Sequence, residues 1–139
     1  MAHSYFSEAK IRLKTARSAL RKKNFAYTVR QSQECVELYL KGVLRFVGIE
    51  PPKWHDVGII LKNEINRFPE WFKKRVDEVA QISKELRRER ELSMYGDSDL
   101  RLPANKLYSK IEAKEALEKA KIVASLCQQL LNQAFKETR

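Results

Sequence analysis

The sequence predicts an all-α protein, an antiparallel bundle of four long helices plus one short helix. Three observations predict it. Apolar residues recur at alternating spacings of three and four along most of the chain. Only four glycines and four prolines punctuate 139 residues, too few for a turn-rich β fold. A single long irregular stretch, Tyr95 to Lys110, interrupts the pattern. At this length one domain over residues 1–139 is expected.

Phe6, Ala9, Leu13, Ala16 and Leu20 mark one face of a first helix over residues 4–22. Ser4 or Ser7 suits its start. Lys22-Lys23-Asn24 suits its end, because cations meet the negative end of the helix dipole and Asn tolerates the left-handed conformation. Val29, Ser32, Val36, Val43 and Val47, with Tyr39 or Leu40 between, carry a second helix over 25–47. Cys35, Leu38, Leu44 and Phe46 widen its apolar arc, so it is the expected centre of the bundle. Gly48 ends it and Pro51-Pro52 forbid its resumption. Asp56 is the expected N-cap of a short helix bearing Val57, Ile60, Leu61 and Ile65. Pro69 opens the next helix, whose stripe is Phe72, Val76, Val79, Ile82 and Leu86. Ala113, Ala116, Ala120, Val123, Cys127, Leu130 and Ala134 give the final helix, over 111–136, an unbroken stripe of small residues.

The formal net charge is +10. Residues 1–23 hold seven Lys and Arg against Glu8 alone, a local balance of +6. Such a field attracts nucleic acid, nucleotides or acidic partners, although a basic solvated helix face is an equal reading. Cys35 and Cys127 sit within apolar stripes and read as small core residues, with no zinc spacing and no disulfide framework. No stretch approaches the ~18 apolar residues of a membrane span, and residues 1–10 lack the apolar core of a signal peptide. A cytoplasmic location is expected. No cofactor motif and no metal-ligand set is present: there is no glycine-rich phosphate loop.

The segment Arg87-Arg88-Glu89-Arg90-Glu91-Leu92-Ser93-Met94-Tyr95-Gly96-Asp97 is the most informative part of the chain. Here the apolar stripe of the helix runs on geometrically into Arg90 and Ser93. A core face that turns polar in its last two turns breaks the local rules, as functional sites do. Arginines at a helix end beside a tyrosine are suited to an anion, phosphate above all. If the helix persists, Arg88 and Tyr95 share a face. Arg90 competes with Arg88 for the anion, and Asp97 orients an arginine or caps the loop.

The second helix reads Tyr27-Thr28-Val29-Arg30-Gln31-Ser32-Gln33-Glu34-Cys35-Val36-Glu37-Leu38-Tyr39-Leu40-Lys41-Gly42-Val43-Leu44. It follows a long first helix and precedes a Pro-containing loop with His55, then Val57 and Leu61. The layout resembles the HEPN family, the higher eukaryotes and prokaryotes nucleotide-binding domain, over nearly the whole chain. That resemblance implies a bundle of about five helices, usually a homodimer. It also implies ribonuclease activity or derived RNA or nucleotide binding, and often pairing with a minimal nucleotidyltransferase in a toxin–antitoxin module. Nuclease members carry an arginine, four to six residues, then a histidine, often followed by x-Tyr. Arg88 and Tyr95 map onto that motif, but Ser93 stands where the histidine belongs. Histidine titrates near neutrality and can move a proton at the ribose 2′-hydroxyl or the leaving oxygen; serine unaided cannot. The expectation is retained nucleotide or RNA binding with weak or absent metal-independent cleavage. The alternatives are a ribonuclease of altered chemistry using Ser93, Tyr95 or His55, and a non-catalytic partner of the nucleotidyltransferase.

Other candidates come from residue type and spacing. His55 either hydrogen-bonds locally or contributes to a phosphate pocket, and His55-Asp56 lacks the further ligands of a metal site. Arg30, Glu34, Leu38 and Lys41 follow i, i+4, i+8, i+11 spacing on one face of the second helix, as an internal ion-pair row or a site wall. Glu34 is the expected partner of Arg88 or Arg90 across the helices.

Overall fold

In a computed structural model, residues 2–51, 53, 56–95 and 108–137 are described, with 90–95 and 134–137 described by their backbone alone. The elements are α1 (Ala2–Arg21), α2 (Phe25–Phe46), α3 (Val57–Asn63), a 3-10 turn (Ile65–Arg67), α4 (Glu70–Lys73), α5 (Val76–Tyr95) and α6 (Lys110–Glu137). Among the described residues there is no strand. The four long helices of the expectation are α1, α2, α5 and α6.

α2 is the centre. It packs along α1, α5, α6 and α3. Residue pairs fix the directions. Val29 near the start of α2 lines a small cavity with Leu86 of α5 and Ala116 of α6, while Phe46 at its end meets Ala2 of α1 and Leu131 of α6. So α2 and α6 run one way, and α1 and α5 run the other. Burial of Val29, Val36, Leu40, Val43, Leu44, Phe72, Leu86, Val123 and Cys127 in one cluster forms the core, the apolar area removed from water being the driving term.

The two tight turns flanking α2 share one geometry. After α1, the N–H of Lys23 donates to the carbonyl of Leu20 and that of Asn24 to the carbonyl of Ala19. After α2, the N–H of Gly48 donates to Arg45 and that of Ile49 to Leu44. Both are Schellman closures, which satisfy the carbonyls a helix end leaves over. Each needs one left-handed residue: Gly48 at φ 87 and Lys23 at φ 62. The sequence places that burden on Asn24. Instead Asn24 has φ −93 and starts α2, its carbonyl accepting from both Thr28 N–H and Thr28 Oγ1.

Asp56 caps α3 as expected, its carboxylate accepting from Gly58 N–H at 2.9 Å. Gly58 also lets α3 lie close on α5, since a Cβ there would stand 3.0 Å from Ala80 Cβ. The helix expected to run from Pro69 through Leu86 is broken. α4 ends at Lys73 and α5 begins at Val76, with Arg75 N–H donating to Phe72 carbonyl across the joint. The bend keeps Phe68, Phe72 and Val76 all buried, and sets the Phe68 and Phe72 rings 5.0 Å apart. Tertiary packing here overrides a continuous helical pattern.

Candidate functional site

α5 continues as helix to Tyr95, so the motif Arg88 to Tyr95 lies on helical backbone throughout. At 3.6 residues per turn, positions 88 and 95 fall within ~20° of one another and ~10 Å apart along the axis. Position 93 is turned ~140° from position 88, and ~60° from position 90. The register therefore pairs 88 with 95 and 90 with 93. Arg88 is exposed. The side chains of Arg90, Ser93 and Tyr95, and all of Asp97 and His55, lie outside the described residues.

The arginine that reaches across to α2 is Arg87, one position before the one singled out in the sequence. Its Nη2 stands 3.4 Å from Glu37 Oε1. Glu37 also accepts from Gln33 Nε2 at 3.0 Å and faces Lys41 Nζ at 3.9 Å. This half-buried knot fixes the last turns of α5 against the middle of α2. It leaves the neighbouring Arg88 facing solvent. Glu34, expected to pair with Arg88 or Arg90, has Arg12 Nε of α1 at 3.7 Å and accepts from Gln31 Nε2 at 3.3 Å. Arg30 lies over the ring of Tyr27, 5.4 Å from its centroid, a cation–π contact. The row Arg30, Glu34, Lys41 is thus not one site wall. Arg30 and Lys41 turn to partners on α2 itself, Tyr27 and Glu37, while Glu34 meets Arg12 of α1.

The polar edge of α2 is nevertheless unusual for a central helix. Gln31, Ser32 and Gln33 are buried. Arg30 Nε, Ser32 Oγ and Gln33 Oε1 are shielded from solvent without a hydrogen-bond partner. Unused polar atoms in a core cost stability, so this edge is not explained by packing alone.

On the other side of α5 the chemistry is acidic. Tyr108, buried, donates from Oη to the carbonyl of Glu89 and ties the returning chain to the turn that bears Arg88. Burial, then the nearby Glu89, pushes its phenol above the ordinary tyrosine value. A cavity of about 60 Å³ lies here, lined by Leu86, Glu89, Glu112, Glu115 and Lys119 among others. Lys119 bonds Glu85, and that bond holds the Glu85 carboxyl below its usual range. Three glutamates in the lining disfavour an anion on this side, and Arg87 reaches α2 instead through Glu37.

Sequence reasoning missed Arg87, Glu37, Gln33 and Tyr108. Gln33, Glu37 and Lys41 stand at i, i+4 and i+8, which was legible. Nothing local says that Arg87 rather than Arg88 completes the set. The wide apolar arc of α2, the reason to expect it at the centre of the bundle, is taken up inside the chain by α1, α5 and α6. No helix of the described residues is long and apolar enough to cross a membrane.

The fold is shared with a solved structure, the crystal structure of TT1696 from Thermus thermophilus. The two superpose with a TM-score of 0.73 over 92% of this chain and 96% of that one, at 23% sequence identity. No match was found among the curated proteins. The HEPN domain family model matches residues 2–130. With the bundle and the Arg88-to-Tyr95 helix in place, that match over nearly the whole length establishes that the chain belongs to the HEPN family.

Proposed function

We propose that this HEPN protein binds nucleotide or RNA phosphate through the end of α5 and does not perform the Arg-x4-6-His cleavage of the nuclease members. The observation that carries the reading is Ser93 at the histidine position on a helix that runs unbroken from Arg88 to Tyr95. Arg88 is exposed at the helix end beside the anchored Arg87, available to a phosphate and not tied into the Glu37 knot. Guanidinium groups bind phosphate oxygens in a bidentate manner without needing to titrate. Proton transfer at the 2′-hydroxyl is the step for which Ser93 cannot stand in for a histidine. The positive α1 raises the local concentration of polyanions. In this reading the protein acts as a homodimer; a non-catalytic partner of a minimal nucleotidyltransferase in a toxin–antitoxin pair is the alternative.

The test uses three proteins: wild type, Arg88→Ala and Ser93→His. Wild type is expected to bind single-stranded RNA saturably, with affinity that falls steeply as salt rises, and to leave labelled RNA intact. Arg88→Ala is expected to weaken binding. Ser93→His is expected to gain cleavage that a chelator does not suppress. Robust cleavage by wild type that survives Arg88→Ala defeats the reading, as does absence of salt-sensitive binding.

A further inference from the structure

At the opposite end of the bundle from Arg88 lies a groove with a different character. It has a volume of about 710 Å³ and runs between Trp71 of α4 and the C-terminal half of α6. Its walls are Trp71, Gln128, Gln129, Asn132, Gln133 and Ser125. Four of the six are primary amides, one is an indole, and none is charged. Ala116, beside the arginine end, and Gln129, in the groove, are thirteen residues apart on α6, roughly 20 Å. The two places cannot share one small ligand.

Three features of the groove point to a base rather than to a phosphate. With no cation in the lining, the groove has nothing to neutralise an anion. The indole is held in place: Trp71 Nε1 donates to Gln133 Oε1, and its ring meets Phe72 edge-on, 88° between planes and 5.6 Å between centroids. A half-buried, fixed indole is a stacking surface. Finally, Gln128 Oε1 is shielded from solvent and accepts from nothing. Gln128 lines the groove while this acceptor is turned inward and unused, and soft rotation about the terminal bond presents the amide to the groove. A donor brought into the groove satisfies it. A side-chain amide matches adenine in particular, accepting from N6 while donating to N7.

The surroundings supply what the groove lacks. Gln128 and Asn132 also line an adjoining concavity of about 520 Å³, whose far wall is the start of α1 with His3 and Lys10. From Lys10 the exposed cations Lys14, Arg17 and Arg21 continue along α1 at helical spacing, over ~16 Å. None of these four makes an ion pair with a described residue. A cationic stripe that begins at the lip of an uncharged, amide-lined groove suits a chain of phosphates with one base turned inward.

We propose that the α4–α6 groove is a second binding site, for one unpaired adenine of a single-stranded RNA. The base stacks on Trp71 and is held by the Gln128 amide, and the backbone follows Lys10, Lys14 and Arg17 along α1. The site shares with the reading above only the class of ligand, not the residues.

The experiment compares fluorescently labelled ten-nucleotide oligoadenylate and oligouridylate by anisotropy. Proteins are the full chain, Gln128→Met, Asn132→Ala, Lys10→Glu/Lys14→Glu and, in parallel, Arg88→Ala. The expected result is tighter binding of the adenylate by about tenfold, the size of one good amide–base contact. Gln128→Met is expected to remove that preference by bringing adenylate affinity down to the level of uridylate. Asn132 is exposed, so its substitution keeps the fold and reports independently. The Lys10/Lys14 pair is expected to weaken both oligomers alike and flatten the salt dependence. In a Trp54→Phe background, Trp71 becomes the one indole, and adenylate is expected to quench it. Loss of binding in Arg88→Ala with the adenylate preference intact in what remains supports the groove and identifies a separate α5 site. Equal binding of the two oligomers, or a preference that survives both amide substitutions, overturns the proposal. So does a change of sedimentation on Asn132→Ala, which identifies the groove as a contact between copies of the chain.

Discussion

The two halves of α5 follow different rules. From Val76 to Leu86 the helix is an ordinary core element: Val76, Val79, Ile82 and Leu86 are buried at helical spacing and close over α2. From Arg87 onward the same helix carries cations, one knotted to Glu37 and the next exposed. The first half is specified by the removal of apolar area from water, which has no direction, with Ser83 as the polar side chain it buries. The second half is specified by charge pairing, which is directional, screened by salt and dependent on which neighbour arrives. The first half should therefore respond chiefly to truncation, its surface ion pairs at Asp77, Glu78 and Glu85 adding little. The second should respond to salt and ligand and contribute little to stability.

The largest expected effect breaks the first half. Leu86 is 1% exposed at the meeting of α2, α5 and α6. Leu86→Ala is expected to cost about 3 kcal/mol through lost transfer energy and the cavity left behind, read as a drop in the urea midpoint. If the cost is below about 1 kcal/mol, the core half of α5 is not packed as described.

That stripe was fully legible in the sequence, and so were the caps built from local chemistry. Asp56 caps α3 because a carboxylate two residues before an N–H needs no distant partner. Gly48 ends α2 because only its backbone reaches φ 87 without strain. Where a distant neighbour decides, the sequence misleads. Asn24 was the better local choice for the left-handed position, yet the register of α1 against α2 places Lys23 there. The break at Lys74 falls between Phe72 and Val76, which an unbroken helix also places on one face, and no periodicity records it. Arg87 and Arg88 are adjacent and alike, and only the position of Glu37 separates them. The groove beside Trp71 was invisible for the same reason: glutamines spaced along α6 look like a solvated face until α4 is laid beside them.

The second expected effect concerns alkali. Burial pushes the Cys35 thiol up to about 12, against the opposing pull of Arg17, and burial with Cys35 nearby raises Cys127 as well. An unfolded thiol titrates at its ordinary value, ~8.5. Between that value and about 12 the folded chain keeps protons that the unfolded chain releases. Stability from this source is therefore complete below the unfolded value and is lost as pH rises toward 12. The urea midpoint is expected to hold steady from neutrality to the onset of thiol ionisation and to fall above it. A Cys35→Ala/Cys127→Ala variant should show a flatter alkaline limb. Added salt should leave the limb in place, since its cause is desolvation.

Arg88→Ala tests the other half. An exposed arginine outside the described ion pairs should leave the urea midpoint within about 0.5 kcal/mol of wild type. Its loss is expected to weaken RNA or nucleotide binding by about tenfold at low salt, with the difference shrinking as salt rises. A large stability loss without a binding change would reverse the assignment of the two halves.

The smallest effect lies at the boundary between them. Arg87 and Glu37 are half-buried, at 32% and 24% exposure, and their oxygen–nitrogen distance is 3.4 Å. Glu37 has two further partners in Gln33 and Lys41, so losing Arg87 does not strand its charge. A double-mutant cycle with Arg87→Ala and Glu37→Ala is expected to give a coupling of about 0.5 kcal/mol, the range of partly screened pairs. The informative part is what accompanies it. If the knot positions the end of α5, Arg87→Ala weakens binding through Arg88 although Arg87 itself touches no ligand, and the coupling to Arg88 in a binding cycle is nonzero. Additive effects on binding with a normal stability coupling would show that Arg88 works alone. The boundary at Leu86 would then divide two elements that share a helix and nothing else.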